Sequence, residues 1–464
     1  MHKVAIIGGG PGGYVAAIRA AQLGLQPLLF EKSPSLGGTC LHRGCIPTKA
    51  LVETANRFQE AGAAAEFGLT LGEIGVDWEK VQSRKANIVK RLSMGLDGLM
   101  KSNQVTVVHG EASLRDAHTV VCGEETYEVE NIVLAAGSEV SVPKVFPVDG
   151  ERVITSDHML NCTSIPASLI VVGAGAVGME FASLFARLGS QVTVVEAMER
   201  ILPLEDADVS AEVKRLARKI NLKIYTGAAI SEVVVGDDGV AVKGEGLPDD
   251  LKAEKLLVAV GRRSNTAALN LEAVGVKLER GKVCVDANMR SSVPNIYAIG
   301  DLVPTPQLAH VASAEGIVAV EHIAGLNPEP INYAAYPGAT YCWPEVASVG
   351  LSENAAQEAG RQVMVGKFPF AALGKANIIG ASDGFVKVVA AAEDHRVLGV
   401  HMVGPHVTDM IAEAVVAVQN GLTLEQVTAS IHPHPTLSES VMEAAHGALG
   451  QPISFMPPVR RARR

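Results

Sequence analysis

Val4-Ala5-Ile6-Ile7-Gly8-Gly9-Gly10-Pro11-Gly12-Gly13, running on into Tyr14-Val15-Ala16-Ala17-Ile18-Arg19-Ala20-Ala21-Gln22-Leu23-Gly24, is the stretch that decides the fold. Four apolar residues read as a buried strand, the glycines as a tight turn and the alanine-rich run as a helix. A second strand, Pro27-Leu28-Leu29-Phe30, ends in Glu31. The pattern Gly-x-Gly-x-x-Gly falls on Gly8, Gly10 and Gly13, and Glu31 lies 18 residues past the last of them. In such a unit the first glycine permits the turn. The second lets the backbone approach a pyrophosphate, and the third lets helix and strand pack closely. The pyrophosphate rests on the helix N-terminus, and the acid accepts a hydrogen bond from a ribose hydroxyl.

The pattern recurs. Leu169-Ile170-Val171-Val172 leads into Gly173-Ala174-Gly175-Ala176-Val177-Gly178 and a helix through Leu188-Gly189. The next strand, Val192-Thr193-Val194-Val195, ends in Glu196, again 18 residues past the third glycine. One copy could be an ordinary turn; two in full context predict two dinucleotide sites. At the second, Glu196 favours NAD over NADP, because a carboxylate repels a 2′-phosphate and no arginine follows until Arg200. Asn295-Ile296-Tyr297-Ala298-Ile299 before Gly300-Asp301 sets a carboxylate at a strand end, where it could hold a polyol. Val258-Ala259-Val260-Gly261-Arg262 reads as a strand end closing the second unit. Beyond residue 333, strands such as Phe385-Val386-Lys387-Val388-Val389 and Val397-Leu398-Gly399-Val400, with a helix from Met410 to Gly421, predict a separate α+β domain.

Just past the first unit come Gly37-Gly38-Thr39-Cys40-Leu41-His42-Arg43-Gly44-Cys45-Ile46-Pro47-Thr48-Lys49. In an ideal helix Cys40 and Cys45 would be about 7.5 Å apart along the axis. A disulfide wants Cα atoms within about 7 Å. A first turn loosened by Gly44, with Pro47 against regular pairing, would let them meet in a bond that opens and closes easily. Beside a nucleotide site, the pair reads as a redox centre.

Bulk properties agree. The chain has 464 residues, 48 % hydrophobic, with 46 glycines, which suits a large α/β protein of about three or four domains. A net charge of −10 argues against a nucleic-acid partner. No run reaches the roughly 18 apolar residues of a membrane span. The start goes straight into a strand, so no signal peptide is expected, and the six cysteines are too sparse for a secreted disulfide framework. A cytoplasmic setting is the expectation. Cys122, Cys162, Cys284 and Cys342 read as packing residues, and Arg460-Arg461-Ala462-Arg463-Arg464 as a solubilising end.

From Gly8 to Ile431-His432-Pro433-His434-Pro435-Thr436-Leu437-Ser438-Glu439, the chain resembles the pyridine nucleotide-disulfide oxidoreductases. His42 departs from the commoner Asn, while Arg43 and Thr48 are familiar variants. The resemblance implies two Rossmann-like dinucleotide-binding domains, for FAD (1–142) and NAD (143–263). A central domain (264–332) would complete the FAD site, and a C-terminal α+β dimerisation domain (333–464) would follow. It implies that Gly8, Gly10, Gly13 and Glu31 hold the adenosine part of FAD, Asp301 its ribityl chain, and Ala309 and His310 the pyrimidine edge. Lys49 and Glu180 would pair beside the flavin. Gly173, Gly175, Gly178 and Glu196 would bind NAD, with Gly137 and Gly261 also in the cofactor-binding set.

The implied reaction is oxidation of a dihydrolipoyl group by NAD⁺ through a Cys40–Cys45 disulfide and one tightly, non-covalently bound FAD per subunit. Cys40 would form the mixed disulfide and Cys45 would face the flavin. His434 would be the base, oriented by Glu439 and contributed by the partner subunit of a homodimer; His432 is read as having no catalytic role. The substrate would be the lipoyl domain of a 2-oxo acid dehydrogenase or glycine cleavage complex. Glutathione or mercuric-ion reduction are rivals. The first wants basic residues where Glu196-Ala197-Met198-Glu199 stand, and the second a further cysteine pair after Cys342. A non-catalytic structural or sensor flavoprotein is the third.

Overall fold

The strand His2–Ile7 is the centre of a seven-stranded sheet, in a computed structural model that describes residues 2–249 and 251–456. The arginine-rich stretch 460–464 lies outside the described residues. His2–Ile7 pairs in parallel with Leu28–Glu31, which pairs with Thr106–His109. On its other side runs Glu125–Leu134, whose far half turns antiparallel to Thr119–Cys122. Strand Ile296–Ala298 returns from far along the chain to pair in parallel with the same Glu125–Leu134. That return carries Asp301 back to the first glycine loop.

The first helix, Pro11–Gln22, starts with proline where a helix needs no N–H donor, and buries Gly12, Gly13, Ala16, Ala17 and Ala20. This face of small residues lets helix Ala309–Ile323 approach very closely. A Cβ on Gly316 would lie 2.6 Å from the Gly12 carbonyl oxygen.

The second unit repeats the first in a five-stranded parallel sheet. Its order is Lys223–Thr226, Gln191–Glu196, Ser168–Val172, Lys255–Val258, Val153–Thr155. A two-stranded antiparallel ribbon of Ser138–Val140 and Arg262–Ser264 links the two nucleotide units. The last sheet has five antiparallel strands: Pro337–Thr340, Glu345–Gly350, Val397–Gly404, Phe385–Ala391 and Val363–Pro369. Helices Val407–Gln419 and Glu439–Ala448 cover it over a core that includes Val386, Met402, Ile411, Ala414 and Val441. The helix expected from Met410 to Gly421 begins three residues earlier, after His406 in a left-handed conformation, and stops before Gly421, whose φ of +62° no helix continues.

Candidate functional site

The two glycine loops fold alike down to single hydrogen bonds. At the first, Glu31 is buried and accepts from the Gly9 N–H at 2.8 Å and the Ser33 N–H at 2.7 Å. At the second, Glu196 is buried and accepts from the Ala174 N–H at 2.6 Å and the Met198 N–H at 2.7 Å. The third glycines explain themselves: a Cβ on Gly13 would sit 1.8 Å from the Gly8 oxygen, and one on Gly178 would sit 1.9 Å from the Gly173 oxygen. The middle glycines are different. A Cβ on Gly10 would meet nothing nearer than 3.9 Å, and one on Gly175 nothing within 4 Å. They keep the loop bare toward solvent, as close approach of a pyrophosphate requires.

Each loop opens into a cavity. The first is lined by Gly8, Gly10, Glu31, Gly137, Asp301 and Ala309, and by Cys40, Cys45, Lys49 and Glu180 on its far wall. The second is lined by Gly173, Gly175, Glu196 and Gly261, with apolar walls from Val145, Phe146 and Ile230. The bare loops, buried acids and long clefts fit FAD in the first and NAD in the second. Arg200, the one base close after Glu196, is turned away onto the Pro203 carbonyl at 2.8 Å. Among the expected FAD residues, Gly13 packs beneath the loop and does not line the cavity, and His310 stands outside it too. The His310 Nε2 lies 3.0 Å from the Pro337 carbonyl oxygen.

Between the cysteines the helix is broken rather than loosened. Gly38–Arg43 ends at Gly44, and Cys45–Gly62 starts immediately after it. Gly44 has φ −147° and ψ −111°, and Pro47 falls in the first turn of the second helix, where its missing N–H costs nothing. This break folds Cys40 back over Cys45. A side-chain hydrogen bond between the two thiols acts on both titrations. That bond, then burial, push Cys40 well above the ordinary thiol range. The same bond, aided by Lys49 and opposed by burial, draws Cys45 down to about 7.

Lys49, one turn along from Cys45, holds both carboxylate oxygens of Glu180 at 2.8 Å. Glu180 sits in helix Ala176–Arg187 behind the second glycine loop and is buried. It also accepts from the Tyr341 N–H at 3.0 Å, while Lys49 Nζ lies 4.7 Å from the centre of the Tyr341 ring. One ion pair therefore ties the cysteine helix, the second nucleotide unit and the last domain together.

His434 Nδ1 lies 2.8 Å from Glu439 Oε1, and Glu439 Oε2 accepts from the Thr436 N–H at 2.8 Å. Burial alone would push the Glu439 carboxyl up, but the Thr436 N–H and the His434 ring outweigh it and hold it low. The His434 side chain is 78 % exposed and does not line the cysteine cavity of its own chain.

Sequence reasoning missed Arg262 as a site residue. It lines both cavities and donates to Ser138 Oγ and Ser138 O at 2.7 Å; Ser138 in turn donates to Asp301. Its signal was its place directly after Gly261, at the strand end.

The profile described as pyridine nucleotide-disulphide oxidoreductase matches residues 2–316, and that of the family's dimerisation domain matches residues 336–445. The chain is 43 % identical over 474 residues to dihydrolipoyl dehydrogenase of Bacillus subtilis (strain 168), covering 98 % of this chain and 99 % of the relative. It is 43 % identical over 459 residues to dihydrolipoyl dehydrogenase of Geobacillus stearothermophilus, covering 97 % of each. Among solved structures, LpdA from Mycobacterium tuberculosis matches with a TM-score of 0.89 and 26 % identity, covering 96 % of this chain and 99 % of that one. The HOCl-induced flavoprotein disulfide reductase RclA from Escherichia coli matches with a TM-score of 0.85 and 27 % identity, covering 96 % and 99 %. With the family profile matching residues 2–316, its dimerisation profile matching residues 336–445, and relatives 43 % identical over nearly the whole chain, the chain belongs to the pyridine nucleotide-disulphide oxidoreductase family.

Proposed function

We propose that the chain is a homodimeric dihydrolipoyl dehydrogenase, oxidising protein-bound dihydrolipoyl groups with NAD⁺. The observation that carries this reading is the cavity wall shared by Cys40, Cys45, Lys49 and Glu180, in a chain alike over its full length to enzymes of that name. FAD, bound along the first cavity, would supply the two-electron link between the dithiol and NAD⁺.

The residues divide the rest of the work. With its Nδ1–H donated to Glu439, His434 keeps Nε2 free to take the proton of a lipoyl thiol. The resulting thiolate attacks Cys40, the Cys40–Cys45 bond breaks, and Cys45 leaves as a thiolate. A sulfur drawn down to about 7 leaves readily. The second lipoyl thiol then attacks the mixed disulfide, closing the lipoyl ring and freeing Cys40 as the thiol. Lys49, held by Glu180, balances the charge that gathers on Cys45. The exposure of the His434 ring in one chain supports a histidine that works across the dimer, on the partner's cysteines. We also take 142/143, 263/264 and 332/333 as the domain boundaries. The protein is read as cytoplasmic; no helix of the described residues is long and apolar enough to cross a membrane. The lipoyl substrate is assigned to a 2-oxo acid dehydrogenase or glycine cleavage complex.

Steady-state oxidation of dihydrolipoamide with NAD⁺ and NADP⁺ side by side tests the whole. Turnover with NAD⁺ and little with NADP⁺ is expected from the buried Glu196 and the diverted Arg200. FAD-loaded protein that turns over with neither would overturn the proposal.

A further inference from the structure

Two residues before His434 stands a second histidine in the opposite state. His432 keeps only 6 % of its side chain exposed, against 78 % for His434. Its Nδ1 lies 2.8 Å from the Ser430 carbonyl oxygen, and its Nε2 lies 2.7 Å from Glu413 Oε1. A carbonyl oxygen only accepts, so Nδ1 donates to Ser430, and the other ring nitrogen is left to Glu413. Glu413 keeps 37 % of its side chain exposed, so its carboxyl group closes over the ring at the edge of solvent. His434 shows the contrast: its Nε2 has no hydrogen-bond partner among the described residues.

We propose that His432 is a positioning residue for His434, its buried ring clamped between Glu413 and the Ser430 carbonyl. Glu413 lies on helix Val407–Gln419, which is packed against the last sheet. The clamp therefore fixes the start of the Ser430-Ile431-His432-Pro433-His434 segment to a rigid element. The far end is fixed independently, by Thr436 donating to Glu439. A ring that must meet a thiol in another subunit gains from a backbone held on both sides, because small displacements of a base cost rate steeply. The inference rests on the reading of His434 as the base.

The FAD-loaded homodimer provides the test. In His432→Leu, kcat/KM for dihydrolipoamide should fall by about tenfold or more. NADH-driven ferricyanide reduction and flavin content should stay within about twofold, because neither needs His434. His432→Gln, whose amide still donates to one acceptor, should recover part of the loss. A leucine variant that oxidises dihydrolipoamide within about twofold of wild type would overturn the proposal. If the leucine variant fails to hold FAD, Glu413→Ala decides, because it leaves His432 in place and removes the carboxyl that anchors it to the helix. There kcat/KM for dihydrolipoamide should fall severalfold while NADH-driven ferricyanide reduction holds, and an unchanged kcat/KM overturns the idea. His434→Gln separates the two readings. Full activity there defeats the base assignment itself, whereas its loss beside an unaffected His432→Leu defeats only the clamp.

Discussion

At Cys40 and Cys45 two identical side chains are driven in opposite directions by one hydrogen bond. Cys40 is pushed up and Cys45, with Lys49 adding to the effect, is drawn down to about 7. Alkylation of the reduced protein should therefore rise through an inflection near pH 7. In Cys40→Ala the inflection should move upward, since the Cys40 thiol is the largest influence lowering Cys45. An unmoved inflection would mean that Lys49 alone sets it. Both cysteines, the Lys49–Glu180 partners and the His434–Glu439 pair were legible as residues in the sequence. The asymmetry between the two thiols was not, because it depends on the broken helix at Gly44 and on burial, which spacing does not encode.

The two strand–turn–helix units are alike to the atom, yet each serves one cavity, so their third glycines make a controlled pair. An alanine methyl at Gly13 would collide with Gly8, and one at Gly178 with Gly173, and backbone on either side cannot yield cheaply. Gly13→Ala should therefore purify with little flavin. Gly178→Ala should keep its flavin, measured as absorbance per chain, and lose affinity for NADH in equilibrium titration. Equal loss of both ligands in both variants would show that the two units do not act separately. These units could be read from sequence because a glycine pattern at fixed spacing is a local steric requirement. The link between them, the ribbon carrying Ser138 and Arg262, could not, because its two strands lie 124 residues apart.

Across the whole molecule, the site must be assembled from distant parts, and the dimer is the largest of these steps. If each site takes its cysteines from one chain and His434 from the other, inactive Cys40→Ser and inactive His434→Gln dimers should complement on subunit exchange. Half the dimers would be mixed and one site in each would be complete, giving about a quarter of wild-type turnover. No recovery after proven exchange would put both functions in a single chain. A second whole-molecule feature is the charged junction between the NAD unit and the last domain. Lys387, buried in the middle of an apolar strand, holds Asp206 at 3.0 Å, Asp208 at 3.1 Å and Glu353 at 2.8 Å. His401 lies beside it on the paired strand, and burial pushes its titration below the ordinary value despite the Leu351 carbonyl. A histidine lowered in the folded state stabilises fully above about pH 6.5 and loses that contribution as pH falls through its folded value. The melting temperature should therefore drop as pH goes from about 7 to 5, and drop less in His401→Gln. Parallel curves would assign the acid sensitivity elsewhere.

By itself the sequence determined the two nucleotide units, the cysteine pair and the His-Pro-Thr-Leu-Ser-Glu segment. Each of these is enforced by neighbours within a few tens of residues: a glycine where a methyl would strike the backbone, an acid at a strand end, a histidine five residues before its carboxylate. Only the tertiary structure decided which groups share a wall. It brought Asp301 back to the first loop through a strand pairing across 164 residues, turned His310 toward Pro337, and set Arg262 between two cavities. It also gave His432 two partners. Long-range contacts of this kind are chosen by packing and by the need to pair buried polar groups. Those terms are summed over the whole chain and leave no local signature.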